Sequence, residues 1–136
     1  MATLQDAIEA IQTHALALSG MKEAPSYAPE KLSDFPFAVS FPGRGSWGRV
    51  TDRKKGLHTI ITEIHVARKD MARDLKLVMP YSELFPNAVL GDPTLGGDVD
   101  TVIEMRYTFS ALNWDEETQT VGWRFETDVK QQSALT

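Results

Sequence analysis

The stretch Leu57–Arg68, which reads LHTIITEIHVAR, constrains the fold of this chain more than any other. Residues alternate between two faces with a period of two, as in a half-buried strand rich in β-branched side chains. One face carries Ile60, Thr62, Ile64 and Val66, and the other carries Thr59, Glu63 and His65. A strand of this length spans about 40 Å, whereas most strands have about five or six residues. Because a small domain cannot cover it completely, we expect one end to reach solvent or a neighbouring subunit.

The remaining periodicities predict two helices and two hairpins. Apolar residues recur at helical spacing over Thr3–Leu18, and a second helix, interrupted at Pro80, is expected after the long strand. Strands are predicted at Phe37–Phe41, Leu57–Arg68, Asp98–Leu112 and Thr118–Lys130. The sequence therefore predicts one α+β domain over residues 1–130, of order α-β-β-α-β-β, followed by a flexible tail at 131–136. Its mainly antiparallel four-stranded sheet would carry both helices on one face, with long protruding hairpins.

Charge is distributed unevenly along the chain, whose net charge is -5 at pH 7. Gly43–Lys55 contains five basic residues against Asp52, a net charge of +4, so the rest of the chain carries -9. The acidic total disfavours a free-standing nucleic-acid-binding module. No apolar run approaches the roughly 18–20 residues that span a bilayer, so no membrane partner is expected.

We interpret residues 43–56 as a basic, glycine-rich loop at the tip of the first hairpin. Tryptophan and arginine are favoured as interface anchors, so a contact with an acidic protein surface or with DNA is weighed evenly against a solvated loop. Acidic residues at the tip of the second hairpin would suit a basic partner. The candidate interface residues are Arg44, Trp47, Arg49, Arg53, Lys54 and Lys55, together with Asp115, Glu116 and Glu117.

The sequence predicts no catalytic residue, no metal site and no cofactor. Gly43–Val50 matches a phosphate-binding glycine pattern, but no helix is predicted after it, as a dinucleotide fold requires. Cysteine is absent, which excludes thiolate ligands and thiol nucleophiles. His58 and His65 fall on opposite faces of the strand, and Glu63 with His65 supplies only two ligands, too few for zinc. We expect these histidines at the surface or at an interface.

The chain resembles the tail terminator and head–tail joining proteins of long-tailed bacteriophages, in particular the lambda-type tail terminators. The resemblance rests on the order of the helices and strands and on their general sequence character over most of the chain. Its marks are the N-terminal helix Leu4–Leu18, the Asp34–Val39 approach to the first strand, the long second strand, the proline-broken helix around Met71–Leu84, and Leu95–Asp100 before the last hairpin.

This resemblance implies a structural virion protein rather than an enzyme. Such proteins form a hexameric ring that ends the tail tube, joins tail to head and lets genome DNA pass through its lumen. The implied partners are further copies of the chain, the tail tube protein and a head-side neck protein, with assembly in the host cytoplasm. Two alternatives stay open: another neck component, such as a stopper or adaptor, and a small-ligand-binding or enzymatic α+β domain that would use Glu63 and His65.

Overall fold

The structure, a computed structural model, describes residues 2–25, 35–68, 71–112 and 119–134. The chain is an α+β protein with a four-stranded antiparallel sheet, which confirms the predicted class. The strands lie side by side in the order β1-β2-β4-β3. The elements are α1 (Leu4–Leu16), β1 (Phe37–Val50), β2 (Arg53–Ala67), α2 (Met71–Val78), α3 (Tyr81–Leu90), β3 (Thr101–Leu112) and β4 (Thr120–Ala134), with a 3₁₀ turn at Leu95–Gly97 before β3.

Helix α1 begins with a capping box formed by Thr3 and Asp6. The Thr3 hydroxyl accepts from the backbone N–H of Asp6 at 3.2 Å, and the Asp6 carboxylate accepts from the backbone N–H of Thr3 at 2.8 Å. These two bonds satisfy N–H groups that a helix start otherwise leaves unpaired. Ala7, Ile11 and Ala15 form the buried face of the helix and join the main core.

The main core lies between the helices and one face of the sheet, which we call the helix face. Alternation along β2 and β4 places Ile60 and Ile64 on this face beside Trp123 and Phe125. Phe85 of α3 is fully buried and packs on Phe125, with ring centroids 4.7 Å apart. Burying a phenylalanine side chain contributes about 1.5–3 kcal/mol, so such contacts fix the helices on the sheet.

The other face of the sheet, which we call the outer face, is polar over much of its area. Glu63 and His65 lie there, opposite Arg124 and Gly122 of β4. Phe37 and Val39 of β1 form a smaller buried cluster on this face. Near it, β2 is buried on both faces, so the predicted simple alternation of buried and exposed residues is wrong there.

The first hairpin differs most from its prediction. Residues 43–56 are not a loop, because β1 continues to Val50 and β2 begins at Arg53, with only Thr51 and Asp52 between them. Proline tends to end a strand, but Pro42 lies on an edge strand beside a bulge between Pro42 and Gly45, where its missing N–H is tolerated. The pairing then resumes as far as Val50.

The predicted flexible tail is also wrong over residues 131–134. Strand β4 pairs with β2 as far as Ala134, which lies opposite Arg53. Gln131 is only 2% exposed, and its side-chain amide donates to the carbonyls of Thr3 at 2.9 Å and Asp98 at 2.8 Å. Polar composition suggested fraying, but the neighbouring strand and these two acceptors hold the segment.

Helix α3 corrects a further expectation. A proline inside a helix usually kinks or breaks it, yet α3 runs from Tyr81 to Leu90 with Pro86 inside it. Phe85 and Val89 are both fully buried on one side of the helix. Their burial holds the helix together across a residue that has no backbone N–H to donate.

Candidate functional site

The sheet ends in a three-stranded projection that carries four of the five basic residues of Gly43–Lys55. Thr101 at the start of β3 pairs with Lys130, which lies level with Leu57. Beyond this level β3 is absent, and only β1, β2 and β4 continue. We call this part, residues 47–56 and 131–134, the tongue. It extends about 13 Å past the start of β3, because each strand residue rises about 3.3 Å.

On the helix face of the tongue, Trp47 forms a cluster with Lys54 and His58. The rings of Trp47 and His58 meet edge to face with centroids 4.4 Å apart, and Lys54 Nζ lies 4.6 Å from the Trp47 ring centroid. A β-carbon at Gly45 or Gly56 would overlap the His58 ring, so both glycines are needed for this packing. Trp47 nevertheless remains half exposed. The contact between the Lys54 ammonium and the Trp47 ring contributes about 0.5–1 kcal/mol to the stability of this cluster.

His58 is buried, contrary to the surface position that its sequence context suggested. Burial, together with the positive charge of Lys54, lowers the pKa of its imidazole below the ordinary value of 6.5. Its Nε2 atom has no hydrogen-bond partner within the described ranges. The neutral ring therefore serves as a packing element under Trp47, since the charged form is disfavoured in this setting.

The predicted basic residues do not form one patch. Register places Trp47, Arg49 and Lys54 on the helix face, whereas Arg53 and Lys55 lie on the outer face. The Arg49 guanidinium also donates to the Thr51 carbonyl at 2.8 Å, which ties it to the turn. The tongue thus presents positive charge on both sides.

Arg44 lies apart from the tongue, in the β1 bulge, where it borders a groove on the outer face. The groove has a volume of about 380 Å³ and is lined by Arg44, Gly45, Ser46, Leu57, His58, Thr59, Ile103, Asp128 and Val129. Leu57 and Ile103 are 46% and 55% exposed, although both are large and apolar. Sequence reasoning missed the groove because a register shift between Val102 and Glu104 interrupts the alternation of β3. Ile103 therefore lies on the outer face, although regular alternation would place it on the same face as Met105 and Tyr107.

Asp128 in this groove forms its ion pair with Arg106 and not with Arg44. Arg106 donates to both carboxylate oxygens, at 2.6 and 3.1 Å, and the Thr59 hydroxyl donates at 2.6 Å. The Arg106 hydrogen bonds lower the pKa of Asp128, with smaller contributions from Thr59 and from the charge of Arg44. The Arg44 side chain has no ion pair or hydrogen bond with any residue that the structure describes.

Glu63 and His65, the pair that an enzymatic alternative would use, are buried in a network of side chains. His65 is fully buried, with Nε2 3.0 Å from Glu63 and Nδ1 2.7 Å from the Thr120 hydroxyl. The other Glu63 oxygen accepts from Arg124 at 2.9 Å. These contacts occupy the functional atoms of the pair. The surface or interface position predicted for His65 is wrong in this chain.

The third histidine joins α1 to the turn before β3. His14 Nε2 lies 2.9 Å from the Asp92 carboxylate, and both side chains are partly exposed. The hydrogen bond from His14, followed by one from the backbone N–H of Gly96, lowers the pKa of Asp92. The carboxylate therefore retains its charge to lower pH than an isolated aspartate would.

The acidic candidates Asp115, Glu116 and Glu117 lie outside the described residues. Among the described residues, no group of three or more histidine, aspartate or glutamate side chains is arranged to hold a metal ion. No helix within the described ranges has the length and apolar character needed to cross a membrane. The chain matches none of the protein-family models, and no curated protein has a significantly similar sequence.

Proposed function

We propose that this chain is a structural virion protein, a tail terminator that forms a ring on the end of a phage tail tube and joins the tail to the head. The observation that carries the proposal is the tongue, a paired and basic projection on an otherwise acidic chain. The tongue has four basic residues against Asp52, a net charge of +3, whereas the rest of the chain carries -8. Such a chain attracts a second copy when the tongue of one approaches the body of the next.

The sheet also supports association between copies. Strands β1 and β3 are its two edges, and they are long, with 14 and 12 residues, of which the start of β1 is covered by a bridge between Glu23 and Phe37. Long exposed edges are usually blunted or covered in native proteins, because their unpaired backbone groups can pair with another chain. When two different surfaces of one chain meet head to tail, a suitable rotation closes the assembly into a ring. A hexamer is the state proposed here.

The groups that catalysis would require have structural contacts instead. Glu63 is bound by His65 and Arg124, and His65 is shielded from solvent. An active site brings convergent polar groups to a pocket that substrate can enter. The network around Glu63 supports a structural role, and we propose no catalytic activity.

In this proposal, the tongue binds the neighbouring copy in the ring and the acidic body borders the lumen. An acidic lumen repels the phosphate backbone and would allow genome DNA to slide through with only weak, salt-sensitive contacts at basic residues. The proposed partners are the tail tube protein on one side of the ring and a neck protein on the head side. Another neck component, such as a stopper or adaptor, would share the ring surfaces but would not bind tail tubes.

The test is the mass in solution by light scattering at several concentrations, with and without tail tubes. Six copies of the 15.1 kDa chain give a ring of about 91 kDa. We expect either this species or capture of the monomer at tube ends. Rings that ignore tubes would indicate the alternative neck component, and a monomer that ignores tubes at every concentration would contradict the proposal.

Charge-reversal variants test whether the tongue is the surface through which the copies assemble. The double variant Lys54→Glu/Lys55→Glu should lose assembly, because it removes positive charge from both faces of the tongue. The matched control Arg73→Glu/Lys76→Glu changes the same number of charges at exposed positions of α2 and should assemble like the wild type. Equal assembly of both variants would exclude the tongue as the contact surface.

A further inference from the structure

We propose that the outer-face groove at Arg44, Leu57 and Ile103 binds the acidic segment Trp114–Glu117 of a neighbouring copy. This inference rests on the proposed ring, because it names the two surfaces that meet between adjacent subunits. The groove belongs to the described residues, and the segment is identified by its sequence.

The groove combines exposed apolar side chains with an arginine, Arg44, whose guanidinium has no bonded partner among the described residues. Leu57 and Ile103 form its apolar part, and about half of each side chain is exposed. Asp128 is hydrogen-bonded to Arg106, which also pairs with Glu104 at 2.9 Å, so no carboxylate among the described residues bonds to Arg44 and only the longer-range charge of Asp128 acts on it. Lys55 extends the positive charge along the same face. A ligand that fits this groove carries a large apolar group next to carboxylates.

One stretch of the chain has this composition. Trp114 is followed by Asp115, Glu116 and Glu117, and these are the only three consecutive acidic residues in the sequence. Tryptophan supplies a large apolar surface, and arginine binds carboxylates through charge-assisted, often bidentate, hydrogen bonds. The apolar ring matches Leu57 and Ile103, and the carboxylates match Arg44 and Lys55.

The contact has to form between two copies. The segment joins Leu112 to Gln119, at the end of the sheet opposite the tongue, where Leu112 pairs with Thr120. Asp128 in the groove lies eight residues along β4 from Thr120, which is about 26 Å at the rise of a strand. Six residues that leave the sheet and return to it reach only about 10 Å, since each spans at most about 3.3–3.6 Å. A chain therefore cannot fill its own groove, and the segment of one copy would fill the groove of the next, head to tail.

The first experiment measures binding of a fluorescein-labelled peptide, residues 112–118, by anisotropy. The receptor is the full-length chain with Asp115→Asn, Glu116→Gln and Glu117→Gln, which removes the competing carboxylates. Saturable binding of this peptide is expected, together with weak binding of a control peptide carrying the same three neutral substitutions. No saturable binding, or equal binding of both peptides, would overturn the inference.

A matched pair of arginine variants then locates the site. Arg44→Gln should weaken peptide binding about tenfold or more, because a hydrogen bond to a charged group is lost. Arg73→Gln removes an exposed arginine on α2 and should leave the affinity unchanged. Thermal unfolding confirms that both variants fold. An equal affinity of the two variants for the peptide would show that the groove is not the binding site.

Assembly separates this inference from the proposed function. In the full chain, Asp115→Lys/Glu116→Lys should abolish rings, and adding Arg44→Glu/Lys55→Glu should restore them, since the reversed charges again attract. Rings that survive both Arg44→Gln and neutralisation of the acidic segment would overturn the groove contact and leave the ring standing. A wild-type chain that neither forms rings nor binds tubes would contradict the proposed function, while peptide binding at Arg44 would still identify the groove.

Discussion

Replacing Gln131 by alanine tests whether the end of β4 is a structural element or a frayed tail. The side-chain amide of Gln131 donates to the carbonyls of Thr3 and Asp98, and so connects the tongue to the start of α1 and to the turn before β3. Its neighbour Gln132 lies on the opposite face of the same strand, where no such bonds form within the described residues. The two glutamines therefore make a matched pair.

Each hydrogen bond of Gln131 contributes about 0.5–1.5 kcal/mol, so Gln131→Ala should lower the free energy of unfolding by about 1–3 kcal/mol. The upper part of this range applies if the two carbonyls stay buried without a donor. Chemical denaturation measures the change directly as a lower midpoint at constant slope. In thermal unfolding, about 1 kcal/mol corresponds to a shift of about 3–5 °C for a domain of this size.

Gln132→Ala should change the free energy of unfolding by less than about 0.5 kcal/mol, as is usual for a surface substitution. The reasoning would be refuted if both variants unfolded at the wild-type midpoint. A flexible tail gives that result, because a frayed residue makes no bond that alanine could remove.

Three further predictions concern the core and the cluster beneath the tongue. Phe85→Ala should cost about 3–5 kcal/mol by denaturation, since its fully buried ring packs on Phe125; a smaller loss would mean that the helix closes the cavity. Gly122→Ala should cost at least about 2 kcal/mol, because a β-carbon there overlaps the carbonyl oxygen of Ile64, a backbone atom held in the sheet; wild-type stability would disprove this close approach. The lowered pKa of His58 means that the unfolded chain takes up a proton below about pH 6.5 before the folded chain does, so stability should fall as pH drops from 7 to 5. His58→Asn should reduce that slope in denaturation curves at each pH, and an unchanged slope would assign it to other groups.

The composition of the candidate site is evident from the sequence, but its arrangement is not. Counting charges identifies residues 43–55 as basic, and Trp47 stands out among them. The sequence does not show that Lys54 lies against Trp47 while Lys55 faces the other way, because this depends on pairing that continues past Pro42. The glycines and proline of this stretch suggested a loop. Instead, a bulge next to Pro42 lets β1 continue its pairing with β2 as far as Val50.

The outer-face groove also depends on a register shift, here in β3, that the sequence does not reveal. Regular alternation along β3 would place Ile103 on the same face as Met105 and Tyr107, but the shift between Val102 and Glu104 leaves it exposed beside Leu57. A one-residue change of register reverses the face of every later side chain. Such a shift is set by the partner strand β4, so it cannot be read from the periodicity of β3 alone.

The sequence by itself determined the N-terminal helix, the presence of four strands and the uneven distribution of charge, because these depend on neighbouring residues and on composition. The tertiary structure alone decided how far the strands extend, which basic residues share a face and which polar residues are buried. Gln131 and His65 look like surface residues in sequence, yet their partners Thr3 and Thr120 are distant along the chain. A polar side chain becomes structural when folding supplies a partner that compensates for the water it loses.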